Sequence, residues 1–300
     1  MRTANVLTTA LLNASLLGAC AGGGVPVEDG QGSGITDGKA DGPGAGGDVA
    51  EVALPALAKR YSLAMTSTID AKEIDSGEVT RATTVVTALV TVLGTEDPSI
   101  HDLEFGLCDV DLPEINGRKP TVEAEGLRKS APAAARAQLQ RIAAEVSETG
   151  EEIAPARVAL VTERTALLLG VDPAEALTEE LPSDDDDPRV IDLDEDGKPG
   201  LTIKVSGFKI YAGIRAKFGL EGAVDAAGVI AGEAGMEIDL AVFGDNIPFV
   251  NAARDLDEAA DNTEVIAEEH AFTLTPVADD AGEVTCEQLP TAASLLSTEG

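Results

Sequence analysis

Alternation of apolar and polar residues is the strongest pattern in the chain, and it is clearest between residues 208 and 220. Successive side chains of a β-strand point to opposite faces, so a period of two predicts a strand with one apolar face. The same pattern occurs over 201–205 and 230–242, with a turn predicted at 225–228, and Phe272 and Leu274 indicate a last strand. The apolar members of the central run are Phe208, Ile210, Ala212, Ile214, Ala216, Phe218 and Leu220.

The first half of the chain carries a similar pattern. Residues 61–69 and 79–93 are rich in Val, Thr and Leu, which favours strands, and Asp75-Ser76-Gly77 is typical of the turn between them. Leu103, Phe105 and Leu107 alternate with polar neighbours and predict a third strand. Together these runs predict an antiparallel meander.

Other segments suggest helices. Residues 51–60 predict a short helix, and the Ala-rich stretch 131–146 predicts a longer one, with Ser130 as N-cap and Pro132 in the first turn. Its apolar residues fall on one helical face. Residues 157–171 fit either a helix end or a buried strand, and 251–269 is expected to cross outside the sheet, partly as helix.

These elements predict a mainly β fold, an antiparallel β-barrel or β-sandwich with minor helix. We expect one β-rich globular domain over 51–290, with halves at 51–180 and 188–290 and a C-terminal tail at 291–300. A barrel spanning the outer membrane is not expected, because the chain has no Trp and only two Tyr from which to build aromatic girdles.

The charge of the chain restricts its partners. The formal net charge is −33, from 54 acidic and 21 basic residues. Such a field repels phosphate backbones, so nucleic acid is not expected as a partner. With 44% hydrophobic residues, the chain can still bury a sizeable core.

Residues 1–19 have the layout of an export signal. Arg2 precedes a weakly apolar run that ends in Leu17-Gly18-Ala19-Cys20. These four residues resemble the lipobox of bacterial lipoproteins. The resemblance implies removal of residues 1–19 as a signal peptide, lipidation of Cys20 and anchoring in a lipid bilayer. Ala21, in place of the Asp that retains lipoproteins at the inner membrane, implies the outer membrane. The alternatives are a plain secretory peptide with an incidental cysteine and an unprocessed buried helix.

Residues 20–50 follow as a tether rich in Gly and Asp. This composition cannot bury enough apolar surface to offset the entropy of ordering, so we expect a disordered coil. A Gly-rich coil of this length spans on the order of 30 Å.

Cysteine counting predicts one disulfide. If Cys20 is lipidated, Cys108 and Cys286 remain as an even pair in an oxidising compartment. Two separate buried thiols are the alternative.

An acidic segment divides the two halves. Asp184–Asp187 is followed by Asp192, Asp194 and Asp196, whose alternate carboxylates and following Gly resemble the start of a DxDxDG calcium loop. The backbone carbonyl of Lys198 would add a fourth oxygen. The EF-hand pattern then fails, because Ile203 stands where the bidentate Glu belongs and Pro199 prevents the usual helix. Either a different calcium turn or a solvated acidic turn remains.

The same region resembles an uncharacterised group of predicted bacterial lipoproteins that carry a "DxDGDGxPGVT"-like segment before a β-rich half. Here the segment runs from Asp192 to Thr202, with Glu195 where the group usually has Gly. The resemblance extends to Tyr211 and Cys286. It implies a shared β-rich fold and brings no activity with it.

The sequence contains few residues in patterns typical of catalysis. His101 and His270 are the only histidines, and neither lies in a zinc-binding or nucleophile motif. We therefore expect a non-enzymatic β-domain of the cell envelope that binds an unknown protein or a small apolar ligand, or serves structurally. The alternatives are an envelope hydrolase with an unrecognised site and a calcium-stabilised adhesion module.

Overall fold

The computed structural model describes residues 53–74, 76–113, 119–146, 152–172, 177, 180–205, 207–246, 263–278 and 284–292. The predicted lipobox, signal peptide and tether lie outside the described residues, as does most of the predicted C-terminal tail.

Thirteen strands and two short helical turns make up the described fold. The strands are β1 (Arg60–Glu73), β2 (Val79–Gly94), β3 (Ile100–Asp111), β4 (Thr121–Val122), β5 (Ala133–Ile142), β6 (Glu145–Val146), β7 (Glu152–Ala154), β8 (Arg157–Thr162), β9 (Thr165–Leu169), β10 (Leu201–Val205), β11 (Phe208–Val224), β12 (Ile230–Asp245) and β13 (Thr263–Pro276). The helical turns are Ala124–Arg128 and Cys286–Gln288.

Eleven of the strands form one antiparallel sheet that returns on itself. Its order is β12-β13-β1-β2-β3-β5-β8-β11-β10-β4, with β9 also on β11, and β12 pairs with β11 as well as β13. The mainly antiparallel β prediction is therefore confirmed, and the pairing is ring-like. Strands of both predicted halves pair directly, since β1 bonds to β13 and β8 to β11.

The ring is interrupted between β12 and β13. These strands pair only from Ile230 with Leu274 to Glu233 with Ala271. From Ala234 onward β12 continues along β11, while β13 continues along β1 to its first residue. Among the described strands, no ladder joins β12 to β13 beyond Glu233 and Ala271.

The alternation of apolar and polar residues along each strand places the apolar side chains inside the ring. Leu63 and Met65 of β1 and Phe272 and Leu274 of β13 are all buried and belong to one hydrophobic cluster. Phe105 of β3 meets Phe218 of β11 across this cluster, edge to face, with ring centroids 5.2 Å apart. The core therefore lies inside the ring.

The predicted helix over 131–146 is wrong. Residues 133–142 form β5, which pairs with β3 and β8. Even-numbered residues such as Arg136 and Gln138 are exposed, while Ala135 and Leu139 are buried, so the period is two. Burial between two strands overrides the helix propensity of alanine. Ser130 ends a helix rather than beginning one, because its Oγ donates to Leu127 O at 2.7 Å.

Two further expectations are corrected, and one open alternative is resolved. The short helix expected at 51–60 does not form over the described residues 53–58, and Arg60 already opens β1. The segment 263–269, expected outside the sheet, belongs to β13, because its residues complete the ladder to β1. The ambiguous stretch 157–171 contains two strands, β8 and β9.

The C-terminal segment covers the outer face of β2 and β3. Cys108 of β3 is joined to Cys286, with the Cα atoms 5.1 Å apart. Val284 and Leu289 pack with Cys108 in a separate buried cluster. The backbone N–H of Ala292 donates to Asp109 Oδ2 at 3.2 Å. The disulfide thus fixes this segment to the ring. In the described part of the chain, no helix has the length and apolarity needed to cross a membrane.

Candidate functional site

An apolar cavity lies inside the ring. Its volume is about 90 Å³, and Thr84 is the single hydroxyl residue among its walls. Strands β1, β2, β3, β9, β11 and β12 all contribute side chains, since each presents every second residue inward. The apolar lining includes Met65, Val86, Phe105, Leu169, Phe218 and Met236. Such a wall favours an apolar occupant, because nothing but Thr84 can bond to a polar one.

A row of polar side chains interrupts the inner face next to the cavity. Ser67 of β1 pairs in register with Thr84 of β2 and with His270 of β13. Ser67 is 3% exposed and Thr84 6%. Ser67 Oγ and His270 Nδ1 are buried without a hydrogen-bond partner, and His270 Nε2 lies 3.3 Å from Glu268 Oε2. We call Ser67, Thr84 and His270 the polar row.

Sequence reasoning missed Ser67 and Thr84. A local signal existed, because Ser67 occupies the apolar phase of its strand, between Met65 and Ile69. A hydroxyl at an inward position departs from the binary pattern and therefore marks a place to inspect. Its partners were unrecognisable without the register, which joins residues far apart in the chain.

The predicted acidic loop forms a compact turn. One carboxylate oxygen from each of Asp192, Asp194 and Asp196 lies within 4.8 Å of the others. Asp192 accepts hydrogen bonds from the backbone N–H of Asp196 and Gly197 at 3.1 and 2.9 Å. Lys198, predicted as a ligand through its carbonyl, contacts the cluster through its N–H, which donates to Asp196 Oδ1 at 3.1 Å. The loop therefore stabilises its own turn with these carboxylates.

Asp194 and Asp196 have different surroundings. Asp194 Oδ2 accepts from Thr202 N at 3.2 Å, while its Oδ1 is buried without a partner. Lys209 Nζ donates to Asp196 Oδ2 at 3.1 Å. Burial acts to raise the pKa of Asp196, but hydrogen bonds from Lys209, Thr202 and Lys198 N–H outweigh it and leave the pKa below its ordinary value. Lys209 thus offsets the negative charge of Asp196, whereas Oδ1 of Asp194 has no hydrogen-bond partner.

A second acidic group lies in the preceding turn. Carboxylate oxygens of Asp184, Asp185 and Asp186 also approach one another within 4.8 Å, and all three residues are exposed. The hydrogen bond with Asp184 raises the pKa of Asp185, and slight desolvation and the neighbouring charges act in the same direction. The hydrogen bond between Asp184 and Asp185 is the largest of these effects, ahead of the charge repulsion.

Neither histidine forms a catalytic relay, in which the imidazole bonds to a carboxylate on one side and to a serine hydroxyl on the other. His101 Nε2 lies 3.1 Å from the carbonyl oxygen of Pro98, and its Nδ1 has no partner. Ser99 Oγ donates directly to Asp97 at 2.7 Å, so that hydroxyl is not bonded to the imidazole. At His270 the carboxylate contact is present, but Ser67 Oγ makes no hydrogen bond. A relay requires the imidazole to bond to both groups.

Compared with family models, with curated proteins and with solved structures, the chain matches none of them. Its function must therefore be inferred from the site alone.

Proposed function

We propose that this chain is a lipid-anchored lipoprotein of the bacterial cell envelope and that its β-domain binds a small apolar ligand inside the ring. The proposed address is the outer membrane, inferred from Ala21. The observation that carries the binding role is the apolar cavity of about 90 Å³. The lipobox residues Leu17 to Cys20 support the address. Lipid on Cys20 would hold the domain at a bilayer, where apolar ligands are concentrated.

Cavity binding can be tested with xenon, an apolar atom that enters dry protein cavities. Met65 and Met236 both line the cavity, so their ¹³C-labelled methyl signals report its occupancy. We expect both signals to shift under xenon. Ala216→Leu should abolish the shifts, because Ala216 lines the cavity and the larger side chain fills it.

The matched control is Ala223→Leu, an exposed position on the same strand. It should leave the xenon response unchanged. Methyl signals that do not respond to xenon in the unmodified chain would contradict cavity binding.

The anchor is tested independently. Cys20→Ser removes the thiol that lipidation requires, so we expect the protein to move from the membrane fraction to the soluble fraction and to lose its acyl mass. Ser15→Ala, within the same apolar run, is the control and should stay with the membrane. Retention of Cys20→Ser in the membrane fraction would show that the chain is held there by something else.

Calcium stabilisation is a second candidate function. It is favoured by the approach of three carboxylates and by the buried, unpartnered Asp194 Oδ1. Calcium prefers such hard oxygens, and water would supply the remaining ligands. The Lys209 ammonium on Asp196 competes with a cation, so we expect binding in the millimolar range typical of extracellular modules.

Calorimetry with millimolar calcium should give a binding heat that Asp194→Asn abolishes. Asn keeps the shape of the side chain and removes its charge. Asp186→Asn, in the other acidic group, is the matched control and should retain the heat. Loss of the heat in Asp186→Asn alone would move the calcium site to residues 184–186, and absence of any heat would reject it.

The hydrolase alternative has weaker support. Ser67 and His270 are neighbours, but their hydroxyl and imidazole are not hydrogen-bonded to each other. The backbone of Ser67 is also engaged in ladders with β2 and β13 on both sides. Free N–H groups for an oxyanion are therefore lacking at this serine.

A further inference from the structure

The ligand class can be narrowed from the polar row. We propose that the cavity takes an uncharged single-chain amphiphile, whose hydrocarbon tail lies in the ring and whose terminal hydroxyl meets Ser67, Thr84 and His270. This inference rests on the proposed cavity binding and specifies its ligand.

The polar row lies at one end of the apolar lining. Met65 and Val86 are the inward residues of the preceding layer and line the cavity, and Thr84 lines it from the next layer. Ser67 and His270 continue that layer on the neighbouring strands. Side chains directly opposite each other on adjacent strands are near neighbours. A ligand against Thr84 is therefore next to Ser67, and His270 follows on the next strand.

The row lies where the pairing between β12 and β13 ends. The last pair between β12 and β13 joins Glu233 to Ala271, so His270 is the first residue of β13 beyond it. An amphiphile entering there would place its tail among the apolar side chains and leave its head at the entrance.

Two buried atoms of the row have unused hydrogen-bonding capacity. Ser67 Oγ and His270 Nδ1 are buried and have no partner, although buried polar atoms in folded proteins are nearly always bonded. Leaving such atoms unsatisfied destabilises the fold. A ligand that bonds to them would remove this penalty, after a rotation of the Ser67 hydroxyl toward the head.

The chemistry of His270 favours a hydroxyl over a carboxylate. An ionised carboxylate can only accept, so the 3.3 Å contact with Glu268 assigns the proton to Nε2. In a neutral imidazole Nδ1 is then an acceptor. A ligand hydroxyl can donate to Nδ1 while accepting from Ser67 or Thr84. A ligand carboxylate cannot donate, and it would approach Glu268 in a chain of net charge −33.

The size of the cavity favours one chain. At about 90 Å³ it is smaller than the cavity of about 150 Å³ that accommodates benzene in an engineered protein. A single hydrocarbon chain is narrower and more flexible than a fused ring system, so a small space favours one chain.

The test compares three straight-chain probes by methionine-methyl NMR of the full chain. They are 1-octanol, its methyl ether 1-methoxyoctane, which only accepts a hydrogen bond, and octanoate, which is charged. Met65 and Met236 report occupancy. The other methionine, Met1, is present only in the chain that retains its signal peptide. We expect 1-octanol to bind about tenfold more tightly than either other probe, the ratio that one additional hydrogen bond supports.

Variants of the polar row test whether its side chains recognise the head of the ligand. Ser67→Ala and Thr84→Val should each weaken binding of 1-octanol and of 1-methoxyoctane about fivefold to tenfold, because both probes can accept a hydrogen bond from these hydroxyls. The preference for 1-octanol, which depends on donation to His270 Nδ1, should stay within about twofold of its original value. Thr87→Val is the matched control, because Thr87 is a buried hydroxyl on the same strand whose side chain faces the other side of the sheet. It should leave 1-octanol binding unchanged.

Equal affinity for all three probes, or tightest binding of octanoate, would overturn hydroxyl recognition while leaving cavity binding intact. An equal loss of affinity in Thr84→Val and Thr87→Val would overturn it too. If neither these probes nor xenon shift the Met65 and Met236 signals, both the inference and the proposed function fail.

Discussion

Replacing Cys108 and Cys286 together with serine lowers the free energy of unfolding by about 2–5 kcal/mol, the usual effect of removing a native disulfide. The bond joins residues 178 positions apart, so its loss frees a long loop in the unfolded chain. In the folded chain it also releases the segment that carries Val284 and Leu289 from the outer face of β3. Denaturant unfolding of both proteins measures the difference.

Reduction provides the control for this prediction. The unmodified chain should gain two mass units and lose stability when a reductant is added, whereas the double-serine variant should show neither change. Identical masses with and without reductant would contradict the disulfide. A bond without a stabilising effect would instead show that the C-terminal segment holds its place by packing alone.

A strand was predictable from the sequence where its two faces differ in polarity. β11 and β12 were recognised from alternation because apolar and polar residues occupy successive positions over most of their length. β5 was missed because Ala133 to Ala135 are all alanine, and alanine gives no contrast between a buried and an exposed face. Arg136, Gln138 and Gln140 carried the correct period. In this segment the polar residues, rather than the apolar ones, identify the strand.

The candidate sites differ in how far apart their residues lie along the sequence. The acidic loop was predictable from sequence because its three aspartates lie within five consecutive residues, and a tight turn brings them together. The polar row was not, since it joins Ser67 to His270 through the pairing of the first and last strands of the described fold. Strand order is a property of the whole chain, and no window of sequence contains it.

The acidic loop depends on a close approach to β11 that local sequence also does not reveal. Gly200 closes the loop, because its N–H donates to Ile191 O at 2.9 Å and its carbonyl accepts from Leu193 N at 3.0 Å. Its φ is +83°. A Cβ at Gly200 would overlap the carbonyl oxygen of Ala212 on β11 and lie 2.9 Å from the Phe243 ring. Glycine is therefore required here for space as well as for conformation.

Gly200→Ala should consequently lower the free energy of unfolding by about 3 kcal/mol, since left-handed strain and overpacking each cost on the order of 1–3 kcal/mol. Gly197→Ala is the matched control. Gly197 has a similar φ of +79° in the same loop, but a Cβ there would meet nothing within 4 Å. It should lose only about 1 kcal/mol, from strain alone. Denaturant unfolding of the two variants measures the difference, which isolates the contact between the loop and β11. Equal losses would mean that the loop can move away from β11, and the carboxylates of Asp192, Asp194 and Asp196 would then lack a rigid base.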